Sequence, residues 1–350
     1  MAVYTTINDP SAQFQTLLYT GNASANRALT NDGNSDLQPD WIWIKNRDAT
    51  QSYALFDSSR GATKRISSNL TNAESTENNN LDSFDSDGFT IDQEAIVNGN
   101  GNGMVAWQWK ANGGTTATNN DGSHTSTVQA NTTAGFSIVT YTGTGSGFTL
   151  GHGLGAAPEI IFNKGLSDSH SWIVGCTHDS ANLSKVLVLN SSDASATATA
   201  NFNAAPTSSV YTIGTAGGVN NNGQNYVSYL FRSVQGYSKI GVYTGNGNAN
   251  GPFVYTGFKP AWVMFKDTSA SAYWAIYDNK RDSFNPSDQV LAPNVSDAED
   301  GSYNDIDLLS NGFKIRASGS PNNTSSRTYI YMAFAENPFT TSDGVPTTAR

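Results

Sequence analysis

The side chains able to do chemistry are few and scattered. Four histidines, His124, His152, His170 and His178, stand in a chain of 350 residues, and none is paired at metal-ligand spacing on an expected strand or helix. His170 and His178 flank the strand that begins at Trp172, so they could approach one another, but exposed loop positions account for both. Cys176 is the single cysteine, which rules out an intrachain disulfide and a thiolate metal site. Within Trp172-Ile173-Val174-Gly175-Cys176 it reads as a small buried hydrophobe. Gly143-Thr144-Gly145-Ser146-Gly147 and the stretch 99–103 have the glycine content of a phosphate cradle. Neither ends in a Lys-Ser or Lys-Thr pair or joins a parallel strand to a helix, so both read as turns.

The acids offer two further chemistries. Asp32, Asp36 and Asp40 surround Gly33 and Asn34, and Asp85 and Asp87 precede Gly88. Oxygen-rich loops of this kind can hold Ca²⁺, but neither supplies a full ligand set, and ordinary Asx turns explain them. Glycoside hydrolysis needs two carboxylates about 5–10 Å apart. Glu74 and Glu299 recur at matched positions together with Arg60 and Arg281, which favours a structural ion pair. No residue is therefore assigned a catalytic, cofactor-binding or metal-binding role, no cofactor is expected, and the chain is expected not to be an enzyme.

The elements that position these residues are written three times. Tyr19-Thr20-Gly21, Tyr141-Thr142-Gly143 and Tyr243-Thr244-Gly245 each close a short apolar run. After each comes a proline, a strand, and a lysine six residues past the proline: Pro39 to Lys45 through Trp41, Pro158 to Lys164, and Pro260 to Lys266 through Trp262. A second strand follows, Tyr53 to Asp57, Trp172 to Val174, and Trp274 to Asp278, with Arg60 and Arg281 three residues beyond the aspartates. Then Asn69, Asn190 and Asn294 each precede an alanine by four positions, and Glu74 and Glu299 follow that alanine. The middle copy lacks the Asp, the Arg and the Glu. Each unit closes with a strand through Phe89, Tyr211 or Phe313 and a final aromatic strand ending near Trp109, Phe231 or Phe334.

Short β-branched and aromatic runs between Gly, Asn and Ser clusters, with no helical period over ten residues, predict an all-β chain of three tandem β-sandwich or jelly-roll domains. The boundaries are 1–110 for the first repeat, 111–134 for a Gly/Thr/Asn-rich linker, 135–236 for the second, 237–339 for the third, and 340–350 for a tail that could dock on a neighbouring subunit. Repeats two and three abut and are expected to form the more rigid pair. Trp41, Ile42, Trp43 and Ile44 are apolar on both parities, so their strand is expected to be covered on both faces. The seven tryptophans all fall in expected strands, which makes core packing their default role.

Composition narrows the partners. A net charge of −10 argues against nucleic acid. No run of 18 apolar residues exists, which argues against membrane insertion. The first ten residues carry neither a basic start nor an apolar stretch, so no secretory signal is read there. A polar surface of the extracellular type without an export signal fits a virion component built in the host cytoplasm.

The chain resembles a repeat family common in marine bacteriophages, particularly cyanophages. The resemblance rests on Thr6-Ile7-Asn8-Asp9-Pro10-Ser11, Leu18-Tyr19-Thr20-Gly21, the run from Thr30 to Asp40, and the run from Gly151 to Pro158, and it spans about residues 5–339. It implies a concanavalin-like or jelly-roll fold and a bacteriophage virion structural protein, a tail fibre, spike or capsid appendage, that contributes to host attachment. The implied partners are other virion proteins and a host-surface glycan, with the chain a homo-oligomer. A trimer and a monomer acting as a pseudo-trimer both suit three copies. The alternatives are a lectin-like carbohydrate-binding module and a polysaccharide depolymerase.

Overall fold

The computed structural model describes residues 4–302 and 305–347. The first copy holds β1 (Phe14–Thr20), β2 (Arg27–Leu29), β3 (Trp41–Asn46), β4 (Ala54–Asp57), β5 (Lys64–Arg65), β6 (Ser75–Thr76), β7 (Leu81–Asp85), β8 (Gly88–Ile91) and β9 (Gly103–Trp109). They build a four-stranded sheet in the order β1-β9-β3-β4, a three-stranded sheet β2-β8-β7 and a ribbon β5-β6. The third copy repeats the plan with β20-β26-β22-β23 and β21-β25-β24. Its strands are β20 (Ser238–Thr244), β21 (Phe253–Tyr255), β22 (Phe258–Asp267), β23 (Ala275–Asp278), β24 (Ile306–Leu309), β25 (Gly312–Ile315) and β26 (Thr328–Pro338).

The second copy keeps the same four central strands as β12 (Phe136–Thr142), β19 (Asn225–Phe231), β14 (Ile160–Gly165) and β15 (Ile173–Cys176). It extends them to eight with β10 (Ala117–Asn119), β11 (Ser126–Asn131), β16 (Lys185–Val188) and β17 (Ala196–Thr197). Its outer sheet is the pair β13 (Phe148–Gly151) and β18 (Val210–Ile213). Every pairing among these strands is antiparallel, so the chain is all-β.

Successive side chains on a strand point to opposite faces, and β3 uses both. Ile42 and Ile44 join Leu17, Phe89 and Ile91 in the core between the first copy's own two sheets. Trp41 and Trp43 point the other way, into a second core that also takes Trp107, Trp109, Trp172, Trp262 and Trp274. That second core draws on all three copies. The rings of Trp109, Phe231 and Phe334, which hold the same register position in β9, β19 and β26, form a triangle with sides of 6.3, 5.7 and 5.7 Å. The four-stranded sheets thus face inward around a pseudo-threefold axis. All seven tryptophans are buried, each worth at most about 4–6 kcal/mol from the area it removes from water.

Three expectations need correction. The 111–134 stretch is ordered rather than a bare linker: β11 pairs with β12 and β10 with β11, which gives its backbone groups partners despite the polar composition. Asp40 fastens its start by accepting from the N–H groups of Ala111, Gly113 and Gly114. Over residues 340–347 the tail lies on the chain's own N-terminal segment, where Ser342 N–H donates to Asn8 Oδ1; residues 348–350 lie outside the described residues. Repeats two and three are not a privileged pair either, because the first copy closes the ring through like bonds to both.

Candidate functional site

The Tyr-Thr-Gly tripeptide is a latch within each copy. Tyr141 and Tyr243 are buried and Tyr19 is half-buried against the rings and strands of their own sheets, and their hydroxyls donate to the carbonyls of Val219, Asn322 and Val97. In the first two copies the accepting carbonyl lies in a four-residue helical turn, α1 (Ala95–Asn98) and α2 (Gly217–Asn220). The glycine is required because a Cβ at Gly21, Gly143 or Gly245 would stand 2.1, 2.3 or 2.3 Å from a backbone oxygen of that turn or loop. One residue later, the N–H groups of Asn22, Thr144 and Asn246 donate to the side chains of Asn98, Asn220 and Asn323. These three asparagines went unread in the sequence, although Val97-Asn98 and Val219-Asn220 were a legible signal. Phe89, Tyr211 and Phe313 sit in β8, β18 and β25, buried in their own copies' cores.

The proline-to-lysine strand ends at the interfaces. Lys164 Nζ donates to Thr71 O in the first copy and His170 O in its own, and Lys266 Nζ donates to Ser192 O in the second copy and Asp267 O in its own. Lys45 donates to Asn46 O and Ala49 O, facing Asp297 and Glu299 of the third copy. Burial pushes all three ammonium groups down to about 8, opposed for Lys45 by the two nearby acids and for Lys266 by Asp267 and Asp193. Two residues beyond each lysine a backbone bond crosses between copies: Glu299 N–H to Arg47 O, Glu74 N–H to Leu166 O, and Ser195 N–H to Thr268 O. The repeated asparagines Asn69, Asn190 and Asn294 accept from the N–H groups of Tyr53, Trp172 and Trp274. The loop they fix then meets the next copy, where Trp172 Nε1 donates to Ser67 O and Trp274 Nε1 to Val188 O.

The recurring Asp, Arg and Glu form a buried relay at two interfaces, between copies one and two and between copies three and one. Arg60 bonds Asp57 and, at 2.8 Å, Glu74; Arg281 bonds Asp278 and, at 2.8 Å, Glu299. Burial opposes each guanidinium charge, but the carboxylates more than offset it and hold both arginines protonated. Each aspartate also takes a bond from the adjacent copy, from Tyr229 Oη at 2.6 Å to Asp57 and from Trp107 Nε1 at 2.9 Å to Asp278. Arg47 adds two bonds to Glu299.

At the interface between copies two and three the relay is replaced as a set. Cys176 takes the aspartate's register position opposite Ile160, Asp179 stands where the arginine would, and Met332 holds the place of Tyr229 and Trp107. Cys176 and Met332 both lie in the central core, and burial pushes the thiol up to about 12. A buried charge without its partner is costly, whereas exchanging a whole pair for apolar groups is often neutral.

The remaining candidate residues are dispersed. His152 is buried, its ring between Leu154 N–H and Thr207 O, and burial lowers its pKa. His170 meets Asn221, His178 pairs with Glu159 at 3.0 Å, and His124 meets Thr142 O. Asp32 faces Lys280, Asp85 accepts from Ser83 and Thr90, and Asp87 accepts from Leu37 N–H. Among the described residues no three His, Cys, Asp or Glu side chains are grouped so as to hold a metal ion.

Large exposed apolar side chains gather in the last third of the chain: Val242, Phe253, Tyr255, Tyr273, Phe284, Phe339 and Val345. An open groove of about 610 Å³ lies there too, between the loop after β23, the turn joining β24 to β25, and the end of β26. No curated protein matches the chain. Residues 9–338, which take in all three copies, match the family described as Domain of unknown function (DUF7483), and the chain belongs to that family.

Proposed function

We propose that this chain is a non-enzymatic bacteriophage virion protein, a tail fibre, spike or capsid appendage displayed on the particle, where it contributes to host-surface attachment. The observation that carries the reading is closure of three copies around one aromatic core, which makes a rigid body in a single chain and turns polar, charge-poor loops outward. Such a body has the pseudo-symmetry of a trimer and suits a symmetric assembly, whose subunits meet through matched surfaces. The reading takes each copy as one β-sandwich domain of jelly-roll or concanavalin-like type. It gives the Asp-Arg-Glu sets the work of joining copies, and leaves attachment to the outer loops. Negative-stain imaging of intact particles with a gold-labelled antibody against the chain tests it: label on the particle surface is expected, and bare particles would remove the proposal. A lectin-like module is the second reading, favoured by the exposed aromatic side chains of the third copy.

A further inference from the structure

Phe284 is 84% exposed, far more than any other large apolar residue among those described. Its loop is particular to the third copy. The strand position that follows the relay comes six residues after Arg60 at Ile66, eight after Asp179 at Leu187, and ten after Arg281 at Leu291. The longest of the three connections carries the phenylalanine.

The loop is held at both ends. Asn285 donates to Leu308 O and accepts from Leu308 N–H, each at 2.8 Å, in the manner of one more strand residue beside β24. Asp282 caps Asp288 N–H at 2.7 Å, and Ser287 and Ile306 exchange both backbone bonds. A loop held in this way has little backbone ordering left to lose on binding.

The ring borders the 610 Å³ groove, a size that suits a small ligand. Its other walls bring Asn279, Asp282, Asn285 and Asn337, together with Lys259 and Glu336. Apart from Phe284, only Leu308 and Leu309 are apolar there, too few to seat an apolar peptide. The single cation, Lys259, is paired with Glu336 at 2.6 Å, which leaves nothing to balance an anionic group. The amides of Asn279 and Asn337 and the second carboxylate oxygen of Asp282, beside one aromatic face, match a ligand with vicinal hydroxyls and an apolar C–H face.

We infer that this groove binds a saccharide, with Phe284 as the stacking platform and the surrounding Asn and Asp side chains bonding its hydroxyls. The inference rests on the attachment reading above and gives it a ligand class. The full chain is tested on an array of neutral and acidic oligosaccharides, then by calorimetric titration with the best soluble one. Phe284→Ala is expected to weaken binding about tenfold or more, the loss of one stacked ring. Phe284→Trp should keep it, and Tyr273→Ala, at the opposite end of β23, should leave it unchanged. Thermal unfolding of the Phe284 variants should stay at the parent value, since the side chain lies outside the cores. A blank array at millimolar saccharide, binding that survives Phe284→Ala, or self-association that Phe284→Ala abolishes would each overturn the inference. A blank array with labelled particles removes the sugar site and leaves display standing; binding with bare particles does the reverse.

Discussion

The indole Nε1 of Trp107 donates to Asp278 Oδ2 at 2.9 Å, tying the last strand of the first copy to the buried relay of the third. The bond closes the ring, because Asp278 also holds Arg281 and Arg281 holds Glu299. Asp278→Ala leaves the arginine charge buried with half its compensation, and is expected to cost about 3–5 kcal/mol in urea denaturation. Trp107→Phe removes one bond and little area, so it should cost about 1–2 kcal/mol. A double-mutant cycle with Asp278→Asn should show coupling between the two sites, and strict additivity would contradict a direct bond.

The relay missing between copies two and three should be installable only as a unit. Cys176→Asp alone places a carboxylate in the central core near Asp179, and a loss of about 3–5 kcal/mol is expected. Adding Asp179→Arg and Met332→Tyr to it should recover most of that loss. If the triple variant is no more stable than the single one, the three interfaces are not equivalent.

Gly21→Ala, Gly143→Ala and Gly245→Ala each drive a methyl group into a backbone oxygen, and should destabilise by about 1–3 kcal/mol or more. Tyr141→Phe loses only the bond to Val219 O and its contact with Asn163, about 1 kcal/mol. Melting temperatures of the four variants check the order.

The interface lysines predict an unusual pH profile. Their folded pKa of about 8 lies below the ordinary lysine value, so the folded state sheds protons that the unfolded state keeps up to about pH 10.4. The penalty for burying their charge is in full force below pH 8, and stability should rise with pH across that window. Above about pH 10 the buried tyrosines, Tyr53 and Tyr237 among them, reverse the slope, because burial raises their pKa and the fold must keep their protons. Melting temperature measured from pH 7 to 11 should therefore pass through an alkaline maximum. In the Lys45→Met, Lys164→Met, Lys266→Met triple variant the rising limb should vanish.

Because Trp109, Phe231 and Phe334 meet on one axis, the copies should unfold together. Calorimetry of the full chain is expected to give one transition with equal calorimetric and van't Hoff enthalpies. An excised third copy, residues 237–339, would bare Ile240, Trp262, Trp274 and Met332 of the central core, and is expected to aggregate or stay unfolded. Three resolved transitions would show that the copies fold independently.

The sequence alone determined the repeat, the strand that runs from proline to lysine, and the fact that Trp41, Ile42, Trp43 and Ile44 are covered on both sides. Those are local matters: periodicity of 2 records that a face is buried, and constant spacing records that a loop must reach a fixed point. It also pointed to the pairing of Arg60 with Glu74 and of Arg281 with Glu299, through their recurrence. Tertiary structure decided what covers the second face. Trp107 and Asp278 are 171 residues apart, and Tyr229 and Asp57 are 172 apart, so no window along the chain holds both partners. The same distance hid the order of the 111–134 stretch, whose strands are stable only against β12, and the reason the middle copy gave up its Asp and Arg together. Phe284 reads as one more phenylalanine in a turn. Only its place in the fold, beside an Asn285 bonded to Leu308 and facing water, sets it apart from the buried phenylalanines.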